Sequence, residues 1–435
     1  MSKLPAFVSA AEAVQCIQSG DCLHLGSVAG VPAALVSALC ERGRRGELAD
    51  VTIRHIHTGP TEDYSGEEFA GVFNCQSFFV GDNIRHNVNA GYADYIPVNL
   101  SEISGLYRNG FVRCDAALIQ VSPPDENGMV SLGVAVDVTL AAVMCAKKVI
   151  AVMNEHIPHT LGDALIPLEK LDYVVEEHAP IPATPPSHPS PVEINIGLHC
   201  AQLVENRACL QLGIGAIPNA VLAGLTNHRD LGIHSEMFSD GVLKLVETGV
   251  ITGKYKEIDR EKLVVSFLAG SQHLYDFVNC NPLVLMKDSA YTNDPFVIAR
   301  NPKVVAINSA VQIDLTGQIC ADSIGTRIYS GSGGQLDFIY GAFRSPGGKA
   351  IIAITSTTPK NISKIVPTLT PGSGVVTPRT LVHYIVTEYG AVELYGRSLQ
   401  ERAKPLISIA HPDHRETLEK AAFDRFGRHF LQIRI

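Results

Sequence analysis

The residue whose surroundings most invite chemistry is Glu236, in the segment Leu231 to Gly241, LGIHSEMFSDG. It follows His234 and Ser235 and is flanked by Ile233, Met237 and Phe238. A carboxylate among apolar neighbours loses solvation, which raises its basicity and its reactivity toward an acyl carbon. The other reading open to it is a surface glutamate near a helix start, with Ser239 or Asp240 as cap. Two glycine-rich segments could serve such a carboxylate. In Gln211 to Val221, QLGIGAIPNAV, two glycines one residue apart precede an apolar, helix-like run. That pattern exposes backbone amides at a helix start, where anionic oxygen is accepted. It is not a dinucleotide fingerprint, because Pro218 holds the place of the third glycine. In Tyr329 to Lys349, YSGSGGQLDFIYGAFRSPGGK, Gly331, Gly333 and Gly334 permit close backbone approach and positive φ. Amide donors in a fixed loop are what a developing oxyanion requires. Arg344, Lys349 and the later Lys360 offer charge for phosphate groups. A tight turn without a ligand and a flexible surface loop are the competing readings of these two segments.

The elements that must position these residues are short. Cys22–Gly26, Ala117–Val121 and Val149–Met153 read as strands in the first half. Leu263–Phe267, Val304–Ile307, Ala350–Ile354 and Leu381–Val386 read the same way in the second. Helical patterns lie between them at 33–42, 138–146, 220–226 and 241–248. Apolar runs without strict alternation suit strands buried on both faces, and strand alternating with helix implies parallel sheets. The fold class predicted is therefore α/β, as two tandem open parallel-sheet domains of similar size. Ala179 to Pro191, APIPATPPSHPSP, is too rich in proline for helix or interior strand and reads as a semi-rigid linker. The predicted domains are 1–185 and 192–435, with 179–191 joining them.

Composition excludes several classes. The net charge is −9 over 435 residues, with no basic stripe, which argues against nucleic acid or an anionic membrane surface as partner. The ten cysteines show no CxxC pair and no Cys/His spacing of a metal site; free thiols buried as small hydrophobes are expected, Cys114, Cys145 and Cys209 among them. No signal-peptide pattern opens the chain, and no apolar run approaches the roughly 20 residues of a membrane helix. A soluble, cytoplasmic protein is expected.

The order and separation of these segments resemble the acetyl-CoA hydrolase/transferase family of family I CoA-transferases, nearest to its 4-hydroxybutyrate and butyrate:acetate CoA-transferases. GIGAIPNAV is similar to the family's glycine turn, LGIHSEMFSDGV to the segment of its catalytic glutamate, and SGSGGQLDF to its second glycine loop. The likeness extends through NSAVQIDLTG (308–317), STTPKNISKIV (356–366), VTEYG (386–390) and IAHPDHR (409–415). In the first half SPPDENGMVSLG (122–133) and NEHIPHTLGD (154–163) resemble segments on the acid-binding side.

The resemblance implies a CoA-transferase with its active site between the two domains and Glu236 as covalent nucleophile. It implies oxyanion and CoA contacts at Gly213, Ile214, Gly215, Ala216, Ile217, Val311, Gly334 and Lys360, and contacts to the acid at Asn154 and His159. Acyl-CoA and a small carboxylic acid would be the substrates, with no permanently bound cofactor, no metal, and a homo-oligomeric assembly. Family members commonly carry Met-Pro-Arg-Thr where this chain has Ile157, Pro158, His159 and Thr160, so the departure bears on the acid: 4-hydroxybutyrate, butyrate or acetate, or a dicarboxylate such as itaconate or succinate. Hydrolysis of acyl-CoA is the rival reaction. A non-catalytic sensor would need a DNA-binding segment or a damaged nucleophile position, and neither is evident.

Overall fold

A computed structural model describes residues 4–184 and 188–433. The chain divides into two compact units. The first comprises Met1–Pro185, Lys262–Asn293 and Ile328–Gly333; the second comprises Pro186–Glu261, Asp294–Arg327 and Gly334–Ile435. Compared with a single cut near the proline-rich stretch, two segments of the second half group with the first unit. Of that stretch, 185–187 lie outside the described residues; 179–184 and 188–190 carry neither helix nor strand. Pro191 already belongs to the helix Pro191–Leu203, which Ser190 and Glu193 open with reciprocal cap hydrogen bonds.

The first unit is built on an eight-stranded sheet: Ala6–Phe7 (β1), Cys22–Leu25 (β2), Val51–His55 (β3), Phe73–Ser77 (β4), Ala93–Tyr95 (β5), Ala116–Val121 (β6), Lys148–Asn154 (β7) and Tyr173–Glu177 (β8). Their order is β1-β8-β7-β6-β2-β3-β4-β5. Every pairing is parallel. The central strand β6 is buried at every position, as its unbroken apolar run requires. Leu23, Leu25, Ile53, Leu118, Ile150 and Val152 meet in its core.

The second unit repeats this grammar with Cys209–Leu212 (β9), Gly232–His234 (β10), Val304–Asn308 (β11), Lys349–Ala353 (β12), Tyr384–Thr387 (β13) and Gly390–Glu393 (β14). They lie in the order β10-β9-β11-β12-β13-β14. All pair in parallel except β14, which returns antiparallel to β13. Cys209, Val304, Ala306, Ile352, Ile385 and Phe338 share its core.

In both units the chain leaves a central strand in one direction and later resumes on its other side. The reversal falls between β2 and β6 in the first unit and between β9 and β11 in the second. In open α/β sheets the crevice beyond the carboxyl ends of such a strand pair is where ligands bind.

The predicted strands stand where expected, with two exceptions. Leu263–Phe267 is broken at Ser266 into Leu263–Val265 and Phe267–Leu268. The last run begins only at Tyr384, because Leu381 to His383 form no ladder. All ten cysteines are free; Cys114 and Cys209 are buried, but Cys145, the last residue of the Thr139–Cys145 helix, is exposed.

Candidate active site

β9 ends at Leu212, and the next three residues turn the chain into the helix Ala216–Gly224. Gly215 caps that helix with φ +116° and ψ −175°, a conformation open essentially to glycine alone. A Cβ placed on Gly213 or Gly215 would meet nothing within 4 Å. The turn is therefore not glycine-rich for packing: its backbone faces open space. Ile214, between the two glycines, is 52% exposed.

A cavity of about 240 Å³ opens there. It is lined by Glu193, by Gly213 to Pro218, by Ile307, Asn308 and Ser309, and by Ala353. Apart from Glu193, from the first turn of the Pro191–Leu203 helix, these are residues at the carboxyl ends of β9, β11 and β12, so the cavity sits at the sheet's reversal point. The side-chain amides of Gln211 and Asn308, on the neighbouring strands β9 and β11, pair reciprocally at 3.1 and 3.4 Å.

Glu236 occupies a bend just past the carboxyl end of β10, the strand beside β9. It is half-buried, between buried Ser235 and buried Met237. Backbone pairing of β9 with β10 ends at Leu210 and Ile233. Beyond it the Ser235 hydroxyl accepts from the Leu212 N–H at 3.3 Å and donates to the Leu212 carbonyl at 3.1 Å. The buried Lys256 ammonium donates to the Ile233 carbonyl at 3.0 Å. Burial pushes that ammonium below its ordinary value, while Cys209 and Asp259 pull it upward. Gly232 is required here, since a Cβ would stand 2.8 Å from the Lys256 side chain.

Gly334 caps the helix Gln335–Arg344. Its neighbour Gln335 donates to the Ser309 carbonyl at 2.6 Å and accepts from Thr377 Oγ1 at 3.1 Å, tying this helix start to the cavity wall. Val311 is half-buried two residues past Ser309 and donates its N–H to Cys320. Lys360 is exposed in the turn region that follows β12. Two segments distant in sequence meet at the same edge, where Ser356 holds both oxygens of Glu388. Burial pushes the Lys364 ammonium below its ordinary value, and Glu388 and Glu193 oppose that shift. Ser235, Gln335, Glu388 and Lys364 were not singled out from sequence; their roles depend on partners 23 to 171 residues away, for which spacing along the chain carries no signal.

Three sequence expectations need correction. Gly331 and Gly333 group with the first unit and pack on Phe79, whose ring atoms lie 3.1 and 3.3 Å from where their Cβ atoms would be. Their lack of side chains serves close packing, while Gly333 also takes the positive φ expected of this loop, +53°. Lys349 opens β12, at the sheet edge opposite the cavity, and its ammonium is held by the Leu203 carbonyl and Glu205. Arg344 ends the ten-residue helix that Gly334 caps, about 15 Å from that glycine along the axis, and lies over Tyr340.

In the first unit Asn154 ends β7 and is buried. Its amide donates to Gln120 at 3.2 Å and to the Ala179 carbonyl at 2.8 Å, and its Oδ1 accepts from the His156 N–H at 3.0 Å. His159 Nδ1 is 2.9 Å from Ser122 Oγ, and its Nε2 is 3.9 Å from Asp125. Asn279 anchors the His159 backbone N–H at 2.8 Å. The two segments 122–133 and 154–163 thus lie side by side. Among the described residues no group of His, Cys, Asp and Glu is arranged to hold a metal ion, and no helix is long and apolar enough to cross a membrane.

Known proteins share this arrangement. Residues 3–185 match the acetyl-CoA hydrolase/transferase N-terminal domain, and residues 270–422 match the acetyl-CoA hydrolase/transferase C-terminal domain. A succinyl-CoA:acetate/propanoyl-CoA:succinate CoA transferase of Fasciola hepatica is 49% identical, covering 94% of this chain and 86% of its own. The 4-hydroxybutyrate coenzyme A transferase of Clostridium kluyveri is 46% identical, covering 96% and 97%. The crystal structure of RipA from Yersinia pestis superposes with a TM-score of 0.90 at 36% identity, over 98% of both chains. With both domain families matched in order and relatives this similar along almost the whole length, the chain belongs to the acetyl-CoA hydrolase/transferase family.

Proposed function

We propose that this protein moves coenzyme A from an acyl-CoA to a short carboxylic acid, with Glu236 as covalent nucleophile. The observation that carries the reading is the placement of Glu236 on a bend one strand away from an open, glycine-lined turn at the sheet's reversal point. The relatives' names supply the reaction class.

The Glu236 carboxylate attacks the thioester carbonyl and expels CoA thiolate, leaving an acyl-glutamyl anhydride. The thiolate attacks the glutamyl carbonyl, releasing the first acid and leaving a glutamyl-CoA thioester. An incoming acid reverses both steps and departs as the new acyl-CoA. Each bond broken is replaced by one of similar reactivity, so one difficult exchange becomes several easier ones with ping-pong kinetics. The amides of Gly213 to Ile217 and Gly334 meet the oxyanions, and Val311 and Lys360 contact CoA. His159 contacts the acid; Asn154, its amide already engaged, shapes the loop that presents it. The enzyme works in the cytoplasm as a homo-oligomer and uses CoA as substrate, with no resident cofactor or metal.

Acceptors are 4-hydroxybutyrate, butyrate or acetate. A dicarboxylate such as succinate or itaconate is the second reading, favoured by the succinate named for the Fasciola relative and by His159 where family members commonly carry arginine. Incubation with acyl-CoA followed by borohydride reduces the thioester and marks Glu236 in mass spectra. A mark elsewhere, or none, sinks the nucleophile assignment. A panel of these acids against acetyl-CoA and succinyl-CoA identifies the acceptor, and rapid CoA release without any acceptor identifies a hydrolase instead.

A further inference from the structure

Ser235 is buried, with 1% of its surface exposed, and both of its hydrogen bonds go to one residue, Leu212. Leu212 is the last residue of β9 before the glycine turn, and Ser235 is the residue before Glu236. The β9–β10 ladder has ended two positions earlier, so the hydroxyl continues the attachment past the backbone's own pairing. A side chain that accepts from one N–H and donates to the same residue's carbonyl fixes both separation and slide of the two strand ends. Those ends carry the nucleophile and its amide donors.

We propose that Ser235 is a positioning residue of the transfer reaction, holding Glu236 at a set distance from the Gly213–Ile217 amides. It touches no substrate; it acts through the two segments it joins. The inference rests on Glu236 being the nucleophile and goes beyond it. Misplacing a reacting group by about 1 Å costs on the order of 100-fold, so the loss belongs in kcat and not in acyl-CoA affinity.

The test compares Ser235→Ala with Ser235→Thr in the full chain, by steady-state kinetics and by the rate at which borohydride-trapped label accumulates on Glu236. The alanine variant is expected to lose 10- to 100-fold in kcat and in labelling rate, with KM for acyl-CoA within about two-fold. Threonine keeps the hydroxyl and is expected to restore most of both. Wild-type kcat in a folded alanine variant, or a threonine variant as slow as alanine, overturns the proposal. If the alanine variant does not fold, threonine is compared with Ser235→Cys, whose thiol is a weak partner; equal rates overturn it. Absence of label on Glu236 in the unaltered enzyme refutes the nucleophile itself, an outcome separate from all of these.

Discussion

The crevice beyond β2 and β6 in the first unit and the crevice beyond β9 and β11 in the second occupy the same topological position. The first is closed by its own loop. Gly26 donates to the Leu118 carbonyl at 2.9 Å, and a Cβ on it would strike the Gly30 carbonyl oxygen at 2.8 Å. Val28 adopts φ +51° and exchanges backbone bonds with His57 and Gly59. Gln120, from the end of β6, donates to the Val31 carbonyl at 2.7 Å. The second has glycines too, but theirs look onto empty space, and the strand-end glutamine, Gln211, pairs only sideways with Asn308. One glycine turn makes room for protein; the other faces open space, which we propose a ligand fills. Glycine content alone does not distinguish them, and the atoms facing each missing Cβ do.

That contrast can be broken most directly at Gly215. Alanine there forces an L residue into a glycine-only backbone conformation and rotates the turn's amides, so kcat is expected to fall about 100- to 1000-fold, the usual loss for an oxyanion donor. Unchanged kcat would mean that the turn holds no reacting oxygen. Gly26→Ala should do the opposite: little effect on a folded enzyme's acyl-CoA affinity, but about 1–3 kcal/mol of lost stability from overpacking. Thermal unfolding measures it, as a midpoint several degrees lower.

A pH experiment sharpens the comparison further. Burial pushes His24 down to about 3, with His55 adding to the shift. Burial likewise pushes His55 down to about 4, opposed by its bond to the Ile56 carbonyl. An unfolded histidine takes up its proton near pH 6.5, so below that value the unfolded chain binds more protons than the folded one. This stability is complete above about pH 6.5 and is lost as pH falls toward the folded values. Both histidines lie in first-unit strands, so amide protection factors, which are taken relative to the intrinsic exchange rate at each pH, should fall in β2 and β3 before they fall in β9 and β11 between pH 7.5 and 5.5. An equal fall would remove these histidines from the account. The smallest effect is expected from Lys349→Met: at the far sheet edge it should leave KM for acyl-CoA within about two-fold and cost no more than about 1 kcal/mol. A large rise in KM would return this lysine to the site.

Much of the fold was legible because buried parallel strands write themselves as short apolar runs; β6, β7 and β11 were found nearly to the residue. Glu236 and the Gly213–Ile217 turn stood out in the sequence because an ionisable group among apolar neighbours and closely spaced glycines are local anomalies, and the structure sets them past the ends of neighbouring strands. What stayed hidden is relational. Nothing in SGSGG says that Gly331 and Gly333 pack on Phe79, and nothing in KNISKIV says that Lys364 faces Glu193 and Glu388. The Leu381 run promised three more strand residues than the ladder accepts, since apolarity marks burial and not pairing.

The discontinuity of the first unit has a consequence for how the chain is made. The backbone N–H groups of Val136 and Asp137 both donate to the Ser266 carbonyl, Asp163 is met by Lys287, and Arg108 by Asp288. A nascent chain halted at the proline-rich stretch lacks every one of these partners. All eight strands of its first sheet have by then emerged, yet the unit around them lacks its last segments until residue 333 of 435 is made. Completion of the amino-terminal half is thus scheduled late in translation, and a fragment ending near residue 185 should stay soluble only with a chaperone's help.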